Sequence, residues 1–286
     1  LFWEHLWPWL PGYLDAVDAH GDRVAETTMS HADRIRVSPI AGCAYDCRFC
    51  DLAADRYRTR EPAQILAGID VALADRSLPP RHLLISGGSP ARGERHLAYF
   101  DEACRRIVRH VRAATAAWPE PFEIDIMMSA RADGPGFVDR MVDEGVTGFS
   151  LNVEVFDERH AMERMPLKHR FARPHLAATI ARAVERLGAG SGRVRSLIIP
   201  GLEPPEETLR GVEWLASLGC SPVISPFRPA RGTALAREAP VDPELLRELL
   251  REARAIAART GVPLGPRCVP CQHNTLTLPW DTQGTG

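Results

Sequence analysis

Short runs of β-branched and aliphatic residues alternate along this chain with longer stretches in which apolar positions recur every three or four residues. The short runs predict strands at residues 34–40, 82–86, 122–129, 148–155, 194–200 and 222–227. The longer stretches predict helices at 62–76, 91–117, 135–145, 174–187, 205–218 and 243–260. The last helix shows its face plainly, with Leu245, Leu246, Leu249, Leu250, Ala253, Ile256 and Ala257 at helical spacing. Strands that alternate with helices predict parallel pairing through right-handed crossovers.

Six such units are too few for a closed eight-unit barrel, which takes about 250 residues. The expected fold class is therefore α/β, a partial (β/α)6 TIM-like barrel with N- and C-terminal extensions. Residues 1–32 form the first extension, read as a helix and loop, residues 33–230 the barrel, and residues 231–286 a helix and cysteine-containing segment that returns to the barrel mouth. Strand periodicity places Ser150, Asn152 and Glu154 on one face, and alternates Glu123 and Asp125 with Ile124 and Ile126. Polar side chains facing a lumen point to a polar ligand inside it, and the alternative is strand ends standing in water.

Composition narrows the partners. The 286 residues are 45% hydrophobic and 25% charged, which is ordinary for a globular chain. Lys+Arg 35 against Asp+Glu 37 leaves a net charge of −2, so nothing pulls the chain toward nucleic acid or an anionic membrane. Lys168 is the sole lysine, and the arginines are scattered rather than clustered. No stretch approaches the ~20 apolar residues of a membrane span. The aromatic opening from Leu1 to Trp9 lacks the basic start and long apolar run of a signal peptide. A cytoplasmic protein is expected.

Cys43, Cys47, Cys50, Cys104, Cys220, Cys268 and Cys271 are an odd set and unevenly spaced, unlike a secreted disulfide framework. Three of them form C-x3-C-x2-C in Gly42-Cys43-Ala44-Tyr45-Asp46-Cys47-Arg48-Phe49-Cys50-Asp51, just after the first predicted strand. Three thiolates on one loop can hold three irons of a [4Fe-4S] cubane and leave the fourth open. A structural zinc site would need a fourth ligand from Asp46 or Asp51, and a ferredoxin-type cluster a fourth cysteine.

This spacing resembles the radical S-adenosylmethionine (SAM) superfamily. The resemblance implies that Cys43, Cys47 and Cys50 carry the catalytic cluster and that the open iron is chelated by the amino and carboxylate groups of SAM. One electron then cleaves SAM to methionine and a 5′-deoxyadenosyl radical. Phe49 matches the aromatic residue close to the adenine. Ser86-Gly87-Gly88-Ser89-Pro90 matches the Gly-Gly-Glu type motif that meets the SAM amino group through backbone oxygens, with Ser89 in place of the acid.

Asn152 and Glu154 resemble the Asn-x-Glu of lipoyl synthases, near the ribose and methionine portions of SAM. Arg164 and Lys168 are then candidates for its carboxylate. The segment 199–208 is similar to the family's glycine-rich stretch near the adenine, and the segment 226–235 to the close of strand six in the biotin-synthase-like branch. Glu123, Asp125, Arg228, Asn274 and Thr275 are candidates for the substrate side. The resemblance also implies a small-molecule substrate and an external one-electron donor such as flavodoxin or ferredoxin.

Cys268 and Cys271 form a C-x2-C pair, the spacing at which two thiolates reach one metal or cluster. An auxiliary iron–sulfur cluster is the expectation, with Cys220, Cys104, His273 or a substrate atom as third ligand; a redox disulfide, zinc and unligated core thiols are the alternatives. Sulfur insertion from that cluster is the leading specific chemistry. Dehydrogenation, epimerisation or rearrangement without sulfur transfer, and a non-catalytic iron–sulfur protein, stand beside it.

Overall fold

The computed structural model describes residues 11–17, 21 and 23–282. In chain order the strands are β1 (Thr28–His31), β2 (Arg34–Val37), β3 (Ile40–Ala41), β4 (Arg58–Thr59), β5 (His82–Ile85), β6 (Glu123–Met128), β7 (Gly148–Leu151), β8 (Val194–Ile198) and β9 (Ser221–Ile224). The α-helices are α1 (Pro62–Ala74), α2 (Glu94–Ala114), α3 (Gly134–Glu144), α4 (Glu158–Arg164), α5 (Pro166–Phe171), α6 (Arg173–Leu187), α7 (Pro205–Ser217) and α8 (Pro243–Thr260). The chain divides into two compact units, one within residues 1–44, 55–127 and 140–147, the other within 45–54, 128–139 and 148–286.

In the first unit β1 pairs antiparallel with β2, and β2, β5 and β6 run parallel, with Arg34 opposite His82 and His82 opposite Glu123. Every residue of β5 is buried, as expected of a parallel strand covered on both faces. Helix α2 buries Phe100, Ala103, Cys104, Ile107, Val108 and Val111, one continuous stripe at helical spacing. In the second unit β7, β8 and β9 run parallel. Pro at the first helical position starts α1, α5, α7 and α8, where a missing N–H costs nothing.

All six predicted strands and six predicted helices are present; the helix expected over 243–260 has those bounds and the others differ at their ends. The strand expected over 34–40 stops at Val37, before Pro39, which has no N–H to give a ladder. The one expected over 148–155 leaves regular pairing at Leu151 and meets β8 again through an isolated bridge from Glu154 to Ile198. The N-terminal extension is corrected in part: residues 24–26 are a 3-10 turn and 28–31 are strand β1, while the expected N-terminal helix falls mostly on residues outside those described. Helices α4 and α5 were not anticipated, being seven and six residues long. Among the described residues no helix is long and apolar enough to cross a membrane.

Candidate active site

The cysteine loop begins in the first unit, directly after β3. Gly42 takes a positive φ of 65°. Cys43 follows, and its sulfur accepts the backbone N–H of Ser89 at 3.3 Å, while Ala44 N–H donates to the Ser89 carbonyl at 3.1 Å. Gly88 lies so close beneath that a Cβ there would stand 1.6 Å from the Gly42 carbonyl oxygen. Gly87 adopts φ 122°, open to glycine alone. The Gly-Gly pair thus serves a close backbone approach to the cysteine loop, and the N–H of Ser89 supplies a donor to a cysteine sulfur.

Cys47, Phe49 and Cys50 belong to the second unit. Arg48 N–H donates to the Arg164 carbonyl at 2.8 Å, Leu235 N–H donates to the Arg48 carbonyl at 3.3 Å, and Cys50 N–H donates to the Cys47 carbonyl at 3.1 Å. The carboxylate of Asp46 accepts the N–H of Leu167 at 2.9 Å. Cys47 and Phe49 pack against a buried cluster of Val155, Ala161, Met165, Leu202, Phe227 and Leu235. The two short helices therefore form the seat of this part of the loop, and their local signals are Asp157, which caps α4 by accepting the N–H of His160, and Pro166 at the start of α5. Arg164 contributes its carbonyl to the loop, while its guanidinium pairs with Glu238 at 2.7 Å.

Past the end of β7 the backbone is fixed from several sides. The Oδ1 of Asn152 accepts the hydroxyl of Ser150 at 2.8 Å and the N–H of Leu197 at 3.1 Å. Glu154 N–H donates to Leu197 and its carbonyl accepts from Ile199, both at 2.8 Å. Glu154 takes φ 61°, a left-handed conformation that non-glycine residues adopt at a cost. Beyond it, the N–H groups of Phe156 and Asp157 both donate to the Glu203 carboxylate at 2.7 Å. Arg173 donates to the carbonyls of Val155 and Phe156 at 2.9 and 2.6 Å. Burial raises the carboxyl pKa of Glu203, opposed by these two N–H donors and Thr208.

The carboxylate of Glu154 pairs through Oε2 with Lys168 at 2.7 Å, both side chains largely buried. A small cavity here is lined by Asn152, Val153, Met165, Lys168, Arg173 and Ala130. Glu203 and Arg173 are positioning residues that the sequence reading did not single out. Their signal lies in contacts 17 to 47 residues apart, which periodicity does not register.

Among the substrate-side candidates, Asp125 is buried and pairs with His82 at 3.0 Å, while Glu123 and Arg228 are exposed. Asn274 accepts the hydroxyl of Ser225 through its carbonyl at 2.8 Å, and Thr275 is half-buried. The C-terminal segment runs along β9, with Gly265 N–H on the Pro222 carbonyl at 2.8 Å and Leu276 N–H on the Ile224 carbonyl at 2.9 Å. Between these anchors Cys271 N–H donates to the Cys268 carbonyl at 3.0 Å, and the two sulfurs lie within 4.8 Å of each other. That turn can present two thiolates to one metal. Cys220 is wholly buried immediately before β9, and burial pushes its thiol pKa up. Cys104 is wholly buried in the apolar stripe of α2.

The donor set fits the cluster that the loop spacing implies: three partly exposed cysteines, an N–H aimed at one sulfur and an apolar seat under another. No curated protein matches this chain. Solved structures do. The FeFe-hydrogenase maturase HydG from Carboxydothermus hydrogenoformans is 16% identical with a TM-score of 0.60 over 82% of this chain and 53% of its own. A radical SAM methyltransferase from Sphaerobacter thermophilus is 22% identical with a TM-score of 0.59 over 83% and 67%. Coproporphyrinogen III oxidase (HemN) from Escherichia coli, a radical SAM enzyme, is 19% identical with a TM-score of 0.54 over 78% and 52%.

The chain spans about half the length of the first structures it matches. At these identities the likeness speaks for the fold, the α/β partial barrel expected from the strand and helix pattern. The biotin- and lipoyl-synthase branch expected from strands four and six gains no support from these neighbours. The model of the Radical SAM superfamily matches residues 37–225, well over half of the sequence and all of the cysteine loop, and the chain therefore belongs to the radical SAM superfamily.

Proposed function

We propose that this protein is an enzyme that binds a [4Fe-4S] cluster on Cys43, Cys47 and Cys50 and uses SAM to abstract hydrogen from a small-molecule substrate. The observation that carries the reading is the cysteine loop itself, closed by Ser89 N–H on the Cys43 sulfur and by the glycine approach beneath it. When bound, the cluster supplies the electron that cleaves SAM to methionine and a 5′-deoxyadenosyl radical.

The chain's own residues then have distinct tasks. The N–H of Ser89 stabilises negative charge on the Cys43 sulfur. Phe49 and the apolar seat keep water from one side of the loop. Gly87, Gly88 and Ser89 offer backbone groups to the ligand, and Asn152 and Glu154 offer an amide and a carboxylate at the exit of β7. The barrel of 33–230 carries these groups and the segment 231–286 closes it. The donor of electrons is an external one-electron carrier of the flavodoxin or ferredoxin kind, and the reducing cytoplasm, where thiolates persist, is the compartment this reading calls for. The test is anaerobic protein, SAM and a strong reductant, with 5′-deoxyadenosine as readout. Wild type is expected to form it and Cys47→Ala to form none; equal formation by both sinks the proposal.

The paired sulfurs of Cys268 and Cys271 favour a second, auxiliary cluster, and with it sulfur insertion over dehydrogenation, epimerisation or rearrangement. Iron and sulfide per chain separate these readings. Roughly eight irons in wild type falling to four in the Cys268→Ala/Cys271→Ala protein supports the auxiliary cluster. Roughly four in both removes it and leaves the chemistries without sulfur transfer.

A further inference from the structure

We infer that the segment 228–238 is the docking surface for an acidic one-electron carrier protein. This rests on the reading above, in which an external carrier reduces the cluster bound at the cysteine loop. The segment lies against that loop: Leu235 N–H donates to the Arg48 carbonyl at 3.3 Å, and Leu235 is buried in the apolar seat that holds Cys47 and Phe49. Both ends are fixed. Phe227 N–H donates to the Pro200 carbonyl at 2.9 Å, and the Glu238 carboxylate accepts from the Arg164 guanidinium at 2.7 Å. Arg164 in turn takes the N–H of Arg48 on its carbonyl.

Three arginines stand out from this anchored backbone. Arg228, Arg231 and Arg237 are exposed, and none of them makes an ion pair among the described residues. The one acid of the segment, Glu238, is already engaged by Arg164. Helix α8, which follows directly, shows the opposite: all four of its arginines end on carboxylates, Arg247 on Glu244, Arg251 on Glu252, Arg254 on Asp281 and Arg259 on Glu213. The uncompensated charge is therefore local, and the net charge of −2 conceals it. Between Arg231 and Arg237 the exposed residues Gly232, Ala234 and Ala236 are small, so a partner can approach the backbone closely. Fixed positive charge steers an acidic partner into place and needs little buried area, which suits a carrier that must leave after each delivery. Electron transfer falls off steeply with distance. The segment contacts Arg48, the neighbour of Cys47, so a carrier seated on it is placed beside a cluster ligand. The carrier is oxidised by one electron, and the cluster reduced by one, for each SAM cleaved.

The test uses the full chain, reconstituted anaerobically and supplied with SAM, with the initial rate of 5′-deoxyadenosine formation as readout. The reaction is driven in turn by dithionite, which needs no docking, and by a reduced acidic flavodoxin or ferredoxin. The variants are Arg231→Glu/Arg237→Glu, the charge-keeping Arg231→Lys/Arg237→Lys, and Arg247→Glu/Arg259→Glu on α8, which changes the net charge equally. In the 231/237 reversal the carrier-driven rate is expected to fall about tenfold at low salt, with the dithionite-driven rate and iron content unchanged. The lysine protein and the α8 reversal are expected to keep the wild-type rate, and added salt to slow wild type toward the reversed variant. A reversal that keeps the carrier-driven rate overturns the proposal, as does an equal loss in the α8 reversal, or a wild type driven by dithionite and by neither carrier. Loss with dithionite as well assigns the arginines to the substrate or to a nucleic acid and likewise overturns it. A fully iron-loaded wild type that forms no 5′-deoxyadenosine even with dithionite overturns the functional reading itself, a result distinct from the others.

Discussion

The backbone N–H of Ser89 points at the sulfur of Cys43 from 3.3 Å, and Ala44 returns a hydrogen bond to the Ser89 carbonyl at 3.1 Å. Ser89 stands where the family's Gly-Gly-Glu type motif carries an acid, and the contact with the cysteine loop is made by its backbone. The loop is thereby joined to the turn after β5 by two hydrogen bonds that no side-chain substitution at position 89 removes, proline excepted.

Ser89→Pro deletes the N–H to the sulfur. Hydrogen bonds to cluster sulfurs stabilise the reduced form, so their loss shifts the potential downward. The bound cluster is expected to be harder to reduce, with a more negative midpoint in a redox titration. A midpoint equal to that of wild type contradicts this role for the N–H.

Gly88→Ala places a methyl group 1.6 Å from the Gly42 carbonyl oxygen, a backbone atom that has no rotamer to yield. The two backbones must part. A loss of about 3 kcal/mol in urea unfolding is expected, together with impaired iron loading. Full stability and full iron content in this variant would show that the approach is looser than described.

Met165 lies 2% exposed between α4 and α5, within the apolar seat of Cys47 and Phe49. Truncation to alanine is expected to cost about 2–5 kcal/mol of stability, and to speed loss of iron to a chelator more than a core truncation remote from the loop does. Val108→Ala in helix α2 is the comparison, since Val108 is equally buried in the first unit.

Asp139 accepts hydrogen bonds from Arg182 at 2.8 Å and Arg186 at 2.6 Å, and these two partners, Arg182 first, hold its pKa below the ordinary 3.8. A depressed folded-state pKa means the unfolded chain binds the proton more readily, so the contribution is present above pH 3.8 and is lost as pH falls through the lower folded value. Unfolding free energy followed from pH 5 downward is expected to fall less steeply in Asp139→Asn than in wild type. The partial exposure of this carboxylate lets water screen the pairs and keeps the difference small; identical slopes would remove Asp139 from the acid response.

The sequence by itself determined the alternation of strands and helices, because burial on one face leaves a period in the chain that does not depend on which partner covers it. It also determined the candidate cluster ligands, since Cys43, Cys47 and Cys50 are close along one loop and their chemistry needs no distant residue. Strand β1 escaped because Thr28, Ser30 and His31 are polar, although Thr28 and Ser30 are buried. The fold alone decided what surrounds the ligands. Ser89 meets Cys43 across 46 residues, Glu203 holds Phe156 across 47, and Asp46 reaches Leu167 across 121. The pairing of Lys168 with Glu154 and the left-handed turn at Glu154 belong to the same class. Such contacts pair a backbone group or a charge with whatever the folded chain brings within 3 Å, and neither spacing nor periodicity along the sequence records that choice.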